Sequence, residues 1–421
     1  MLPRLFFAAC ALAFPVLDIR GAEPSAPGPP PGAPKELVVY PKQVKLVGPR
    51  DEQRLIILGV WADGRKWDFT HSATVASANA KVTTAEKGII RPVADGSTTL
   101  TVEANGVKTS VPVVVEKATA DMPVSFATEV EPILTKAGCN GGGCHGSQHG
   151  RGGFKLSLFG FDPASDYLQI VQSNEGRRVV LSNAEQSILL AKPALVMEHG
   201  GGERLPHNGR DYNRIRQWLE DGAPAPNAKS DPEVTGLEVF PKHRIMTPGE
   251  RQQLAVTAVW SDGRREDVTS TAQFDALNDS VAAVTPAGLV TAKEAGETHV
   301  MIRFGGAAEV AQVTLPFARI EKFPAVPANN FIDEKLVAKW KELGLTPSPL
   351  CSDDEFLRRL YLDAIGTLPT PEEVRKFLDD PDPKKREKAI EKVLERPEFI
   401  DWWALKWGDL LRINRTALQE K

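Results

Sequence analysis

Beyond its first segment this chain has no long hydrophobic run, and cysteine, methionine and tyrosine are scarce, at 4, 5 and 4 of 421 residues. No later apolar stretch approaches the roughly 18 residues that cross a bilayer, so no transmembrane segment is expected in the mature chain. Cysteine is too sparse for a disulfide scaffold. Cys10 lies in the leader, which leaves Cys139, Cys144 and Cys351. Charge of one sign is also lacking: the net value of −4 gives no reason to expect nucleic acid or an anionic membrane as partner. Ordinary apolar and charged fractions, 42% and 25%, point to a soluble chain of about three or four domains.

Residues 1–22 carry Arg4, an apolar run from Leu5 to Leu17 and the small pair Gly21-Ala22, the pattern of a secretory signal peptide. The protein is therefore expected to be exported, to the periplasm or to the cell surface and medium. Residues 23–35, dominated by proline, alanine and glycine, cannot bury a core and are expected to form a stiff linker.

Beyond the linker the chain is organised by an internal repeat. Val39-Tyr40-Pro41-Lys42 recurs as Val239-Phe240-Pro241-Lys242, and Val60-Trp61-Ala62-Asp63-Gly64-Arg65 recurs as Val259-Trp260-Ser261-Asp262-Gly263-Arg264. Gly88, Gly96 and Gly106 match Gly288, Gly296 and Gly306 at a constant offset. Short alternating apolar runs punctuated by Asp-Gly turns predict a small antiparallel β-sandwich in each copy, over residues 36–117 and 231–318. The second copy resembles bacterial immunoglobulin-like domains of group 2, through Gln253 to Gly263, Asp267-Val268-Thr269 and Val284 to Val290; the first resembles them more distantly. That resemblance implies spacers, or modules that contact a cell surface or glycan.

Between the copies, residues 121–229 hold the segment Cys139-Asn140-Gly141-Gly142-Gly143-Cys144-His145. It is a widened form of the sequence that attaches haem c, with four residues rather than two between the thiols and the histidine kept directly after the second. On that pattern Cys139 and Cys144 would form the thioethers and His145 would be the proximal ligand. A Cys139–Cys144 disulfide is the competing use of the same thiols. Val124 to Leu134 predicts an entering helix, Tyr212 to Glu220 a closing one stopped by Gly222, and Phe154 to Phe159 alternates like a strand. Phe154, Phe159 and Phe161 would line a haem.

From residue 330 to 421 the pattern is all helical. Ser352 with Glu355 predicts a capping box, Thr370-Pro371-Glu372-Glu373 and Asp382-Pro383 predict helix starts, and Gly366 a stop. Trp402, Trp403 and Trp407 are expected mostly in the core. Asp353, Asp354 and Asp363 are scattered acids that fit caps and solvated faces better than hydrolysis.

Over almost the whole mature chain the sequence resembles exported planctomycete proteins that join cytochrome c-like, immunoglobulin-like and helical domains, the last of unknown function. The motifs are Val130 to Leu134, Cys139 to Gly146, Gly152 to Leu158, Phe161-Asp162-Pro163, His199 to Gly202, Ile215 to Ala223, Leu357 to Asp363 and Gly366 to Thr370. The resemblance implies a mainly α cytochrome c-like domain between two all-β sandwiches, covalent haem c, and an incomplete helical domain at the end. In such a frame a methionine precedes the closing helix, but here Arg204-Leu205-Pro206-His207 stands there, and leucine cannot bind iron. His199 is the preferred second ligand, with Met197 and His207 as alternatives; His149 is too near His145 to reach the opposite face. Two functions are compatible with these residues. One is an exported multidomain c-type cytochrome-like protein that transfers electrons to an unknown redox partner. The other is a non-enzymatic envelope or surface protein for binding or assembly, with a Cys139–Cys144 disulfide and no haem.

Overall fold

A computed structural model describes residues 27–227, 229 and 231–413. The expected signal peptide, Cys10 included, and the start of the linker lie outside the described residues. The chain is a multidomain, β-rich protein that ends in helices, and it forms two compact units that divide between Leu345 and Thr346.

In the first unit the strands come in two sets of ten. The first set is β1 (Glu36–Tyr40), β2 (Val44–Val47), β3 (Gln53–Arg54), β4 (Ile56–Val60), β5 (Lys66–Asp68), β6 (Thr74–Ser77), β7 (Thr83–Glu86), β8 (Ile89–Pro92), β9 (Gly96–Ala104) and β10 (Val107–Glu116). They pair in the orders β1-β4-β5, β2-β10-β9-β6 and β3-β8-β7. The second set is β11 (Val234–Phe240), β12 (His243–Ile245), β13 (Arg251–Gln253), β14 (Ala255–Trp260), β15 (Arg265–Asp267), β16 (Gln273–Ala276), β17 (Ala282–Val284), β18 (Leu289–Ala292), β19 (Gly296–Phe304) and β20 (Ala307–Leu315), in the same three orders. The repeat in sequence is thus a repeat in topology. One difference from the purely antiparallel expectation recurs in both copies: β2 runs parallel to β10, and β12 to β20.

Local chemistry explains the strands. Along β10 buried Val111, Val113 and Val115 alternate with exposed residues, the period that lays one face on a core. The Asp-Gly hairpins form as the residues predict: Gly64 and Gly263 adopt φ of 83° and 82°, and Asp63 and Asp262 accept from the amides of Arg65 and Arg264. Trp61 and Trp260 sit at equivalent places in the two cores.

The two sets also pack on each other. The Asp267 carboxylate accepts from the Arg54 amide at 2.5 Å and from Gln53 Nε2 at 2.9 Å, while Asp68 accepts from the Gln253 amide at 2.5 Å and from Gln252 Nε2 at 3.0 Å. Repeat-equivalent residues thus exchange the same bonds in both directions, an isologous contact made within one chain.

The segment between the sets has its own core of Phe126, Ile133, Leu156, Ile170, Leu190, Tyr212, Ile215 and Trp218, among others. A π-helical turn Phe126–Val130, capped by Ser125, runs into α1 (Glu131–Lys136); α2 (Pro163–Val171), α3 (Ile188–Ala191) and the closing α4 (Arg210–Glu220) come after it. The strand expected over Phe154 to Phe159 does not form. Gly150, Gly152 and Gly153 take positive φ, only an Arg151–Phe154 bridge is made, and Phe159 at φ 57° bends the chain into a short turn. α5 (Phe331–Leu343) completes the first unit.

The second unit holds α6 (Asp353–Ile365), α7 (Pro371–Leu378), α8 (Lys385–Leu394) and α9 (Pro397–Leu410) around Leu357, Tyr361, Ile365, Phe377 and Val393. Thr370 and Glu373 form a full capping box, whereas Ser352 caps α6 without accepting a side-chain hydrogen bond. The tryptophans correct the expectation of a core. Nothing on α9 is buried, and Trp403 and Trp407 are 38% and 56% exposed.

Candidate functional site

A network of buried polar residues in the middle segment fixes the cysteine loop from beneath. Asn140 is fully buried, its Nδ2 donating to Glu131 Oε1 at 2.9 Å and to Thr135 Oγ1 at 2.7 Å. Behind it the Glu131 carboxyl lies against that of Asp166, and burial first, then the charge of Asp166, raises Glu131 well above the ordinary carboxylate range. Asp166, itself raised by burial, accepts from both the amide and the hydroxyl of Ser157 at 2.6 Å. Two buried carboxyls this close disfavour ionising together. None of this network stood out in the sequence, where Glu131, Asn140 and Asp166 are ordinary polar residues; the only trace is that Glu131 and Asn140 fall inside resemblance motifs.

The loop then closes on itself. The His145 amide donates to Cys139 O at 2.9 Å and the Gly146 amide to Gly141 O at 3.1 Å, which folds the four intervening residues outward and brings the two cysteines to one wall. A Cβ on Gly146 would stand 1.9 Å from Asn140 O, so only glycine fits there. Both thiols are free. Burial, reinforced by Cys144, pushes the Cys139 thiol up to about 12, so it is protonated at neutral pH.

His145 is oriented by its neighbour in the chain's return. Its Nδ1 lies 2.9 Å from Phe154 O and therefore carries the proton, which leaves Nε2 as the free lone pair. The Phe154 ring packs at 4.6 Å from the imidazole, and burial holds the His145 pKa below the ordinary value. His199 is arranged alike: its Nδ1 faces Gly202 O at 2.8 Å, and Gly201 has no side chain to collide with its ring.

Cys139, Cys144, His145, Phe154 and His199 all line one cavity of about 310 Å³, with Leu134, Leu156, Ile188 and Leu189 as its apolar walls. Such a mixture of apolar lining and a few convergent polar groups is the usual form of a ligand site, and the volume is at the small end of the common range. The other residues considered lie elsewhere. Phe161 is 70% exposed and outside the lining, as are Met197, 43% exposed, and the exposed His207, whose ring packs on Tyr212 at 5.0 Å. Leu205, at the position where a methionine was sought, is buried in the core. Phe159 faces Arg303 instead. Among the described residues no group of three or more His, Cys, Asp or Glu is placed to hold a bare metal ion.

Arg178 is one of the lining residues that sequence reasoning missed. It is 4% exposed and its guanidinium stacks on the Phe154 ring at 4.4 Å. No periodicity or motif marks it.

Residues 331–421 match the family model PSCyt2, described as a protein of unknown function (DUF1549). Among solved structures, the S-layer protein SbsC domains 5–6 are similar at 12% identity and a TM-score of 0.28, over 67% of this chain and 96% of that one. SbsC domains 4–9 align at 11% and 0.27, over 68% and 32%, and the protocadherin GammaB4 extracellular domain at 11% and 0.15, over 68% and 35%. No curated protein matches the chain.

Proposed function

We propose that the chain is an exported envelope or surface protein whose β modules, of the immunoglobulin-like kind, form a scaffold, and whose segment 121–229 is a cytochrome c-like module for electron transfer. The observation that carries the second half is the cavity: Cys139, Cys144 and His145 share it with His199, and each imidazole has its Nδ1 engaged and its Nε2 free. Cys139 and Cys144 would hold a haem covalently, His145 would be its proximal ligand and His199 the distal one, with Phe154 against the macrocycle. Bound there, a haem supplies one-electron chemistry, and two histidine ligands would set a lower potential than a histidine–methionine pair. The protein's own part is to keep both rings oriented and partly shielded from water.

A second reading keeps the scaffold and drops the haem: a binding or assembly protein of the envelope, its cysteines bridged or left as thiols. It is favoured by the extent of the β framework, two ten-stranded sets locked by reciprocal Asp68 and Asp267 bonds. One experiment separates them. The chain is exported in a host with haem-maturation machinery and examined by absorbance of the reduced pyridine adduct and by intact mass. Covalent haem lost in Cys139→Ala/Cys144→Ala supports the first reading; a haem-free chain lighter than the reduced protein by two hydrogens would leave the second.

A further inference from the structure

We infer that the mouth of the cavity is a docking surface for an acidic redox protein. The inference rests on the electron-transfer reading above and gives the chemistry of the partner. Arg151, Arg177, Arg178, Lys192 and Arg204 line the cavity, and no aspartate or glutamate does. Arg178 is buried, but Arg151, Arg177 and Arg204 are exposed, so the cavity reaches the surface among them.

These cations lack counter-ions. Elsewhere in the same segment Arg210 pairs with Glu52, Arg214 with Glu129 and Arg216 with Glu185. Among the described residues none of the five at the cavity forms a salt bridge: Arg178, Lys192 and Arg204 spend hydrogen bonds on main-chain carbonyls, and the side chains of Arg151 and Arg177 donate none. Arg177 and Arg178 are close enough for their charges to oppose each other. In a chain of net charge −4 this is a local positive field, and a carboxylate-rich surface relieves it.

The apolar turn beside the charges favours a protein over a polyanionic polymer. Lys192 and Pro193 on one side and His199 on the other line the cavity, and between them Leu195, Val196 and Met197 are 51%, 67% and 43% exposed. The Met197 amide donates to Ala191 O at 2.9 Å, which holds the turn at the rim. An apolar centre flanked by charge is the anatomy of a protein interface.

The test uses the full haem-loaded chain and a reduced, acidic ferredoxin of the plant type, whose iron–sulfur cluster gives one electron to the ferric haem. The second-order rate should fall about tenfold or more between roughly 20 mM and roughly 200 mM salt, as screening removes the attraction. Arg151→Glu/Arg177→Glu should slow the low-salt rate about tenfold, while reduction by the uncharged lumiflavin semiquinone is unchanged. Val196→Ser should slow transfer from the ferredoxin at both salt concentrations. If the charge reversal impairs haem attachment, Arg151→Gln/Arg177→Gln decides by the same comparison. A rate indifferent to salt, or unaltered by the charge substitutions, overturns the docking surface and leaves the haem reading standing. Slowing by the charge substitutions with none in Val196→Ser marks a site for polyanions in general and overturns the protein partner. A wild-type chain that takes up no haem overturns both.

Discussion

Tyr40 and Phe240 stack face to face between the two β modules, their ring centroids 4.3 Å apart and their planes inclined by 11°. They are the same position of the repeat, so the stack lies where a two-fold axis relating the modules would pass. Ile56, Leu58 and Ala255 form a small buried cluster beside it, and Asp68 and Asp267 close the contact symmetrically on either flank. A duplicated domain that binds its own copy gains the complementarity of a homodimer without the entropy of association.

The flanking aspartates make this contact pH-dependent. Burial lifts Asp267 from 3.8 to about 6. The folded state then binds this proton more tightly than the unfolded chain, so the group's contribution to stability falls as pH rises from about 4 to about 6 and is level above. Asp267→Asn should abolish that slope, an effect of about 3 kcal/mol at most. Thermal unfolding of the full chain at pH 4.5 and pH 7 should show the substitution costing more at the lower pH. Parallel pH profiles for the two proteins would refute it.

Much of this architecture was legible in the residues, and the reason is locality. The Asp63-Gly64 and Asp262-Gly263 hairpins, the helix Arg210–Glu220 and the Thr370 capping box depend on neighbours within a few positions. What failed to show depends on partners far away or outside the chain. Apolar spacing marks Trp403 and Trp407 as hydrophobic but cannot say whether another surface covers them. Gln53 and Asp267 look like ordinary surface residues until the modules meet. Arg178 gives no signal because the burial that sets it apart comes from segments distant in the chain.

Glu131 should behave differently when neutralised and when truncated. Glu131→Gln keeps an acceptor for Asn140 and removes a carboxyl whose charge is disfavoured by burial and by Asp166, so stability at neutral pH should change little. Because the folded Glu131 pKa is raised, wild type should lose stability as pH climbs above the ordinary carboxylate range, and the glutamine variant should lose less. Glu131→Ala removes one of the two acceptors of buried Asn140 Nδ2 and should cost about 2–3 kcal/mol. Hydrogen exchange over residues 131–146, compared at two pH values, reads both effects. Equal destabilisation by the two substitutions would contradict the penalty on the Glu131 charge.

The cysteine loop offers an internal control. Gly146→Ala places a methyl against the Asn140 carbonyl, backbone that cannot give, whereas Gly143→Ala meets nothing within 4 Å. The first should destabilise the segment by about 2–3 kcal/mol and the second by well under 1. Thiol labelling of Cys139 tracks the difference, since opening the loop further exposes a thiol otherwise protonated and half-buried. Labelling should rise about tenfold or more in Gly146→Ala only.

In the helical unit Gly366 ends α6 at φ 70°, and a Cβ there would lie 2.5 Å from Trp402 Cε3. Gly366→Ala therefore meets two penalties, a left-handed backbone and a fixed indole, for about 2–3 kcal/mol together. The indole cannot simply swing away, because Trp402 Nε1 donates to Asp363 O at 3.2 Å. Gly408, inside α9 with nothing within 4 Å of its built Cβ, is the converse case, and alanine there should stabilise by about 0.5–1 kcal/mol through helix propensity alone. Opposite shifts in the helical unit's melting transition are the expected result. If Gly366→Ala left that transition unmoved, Trp402 would not be holding the end of α6, and the packing of α9 on α6 would need another anchor.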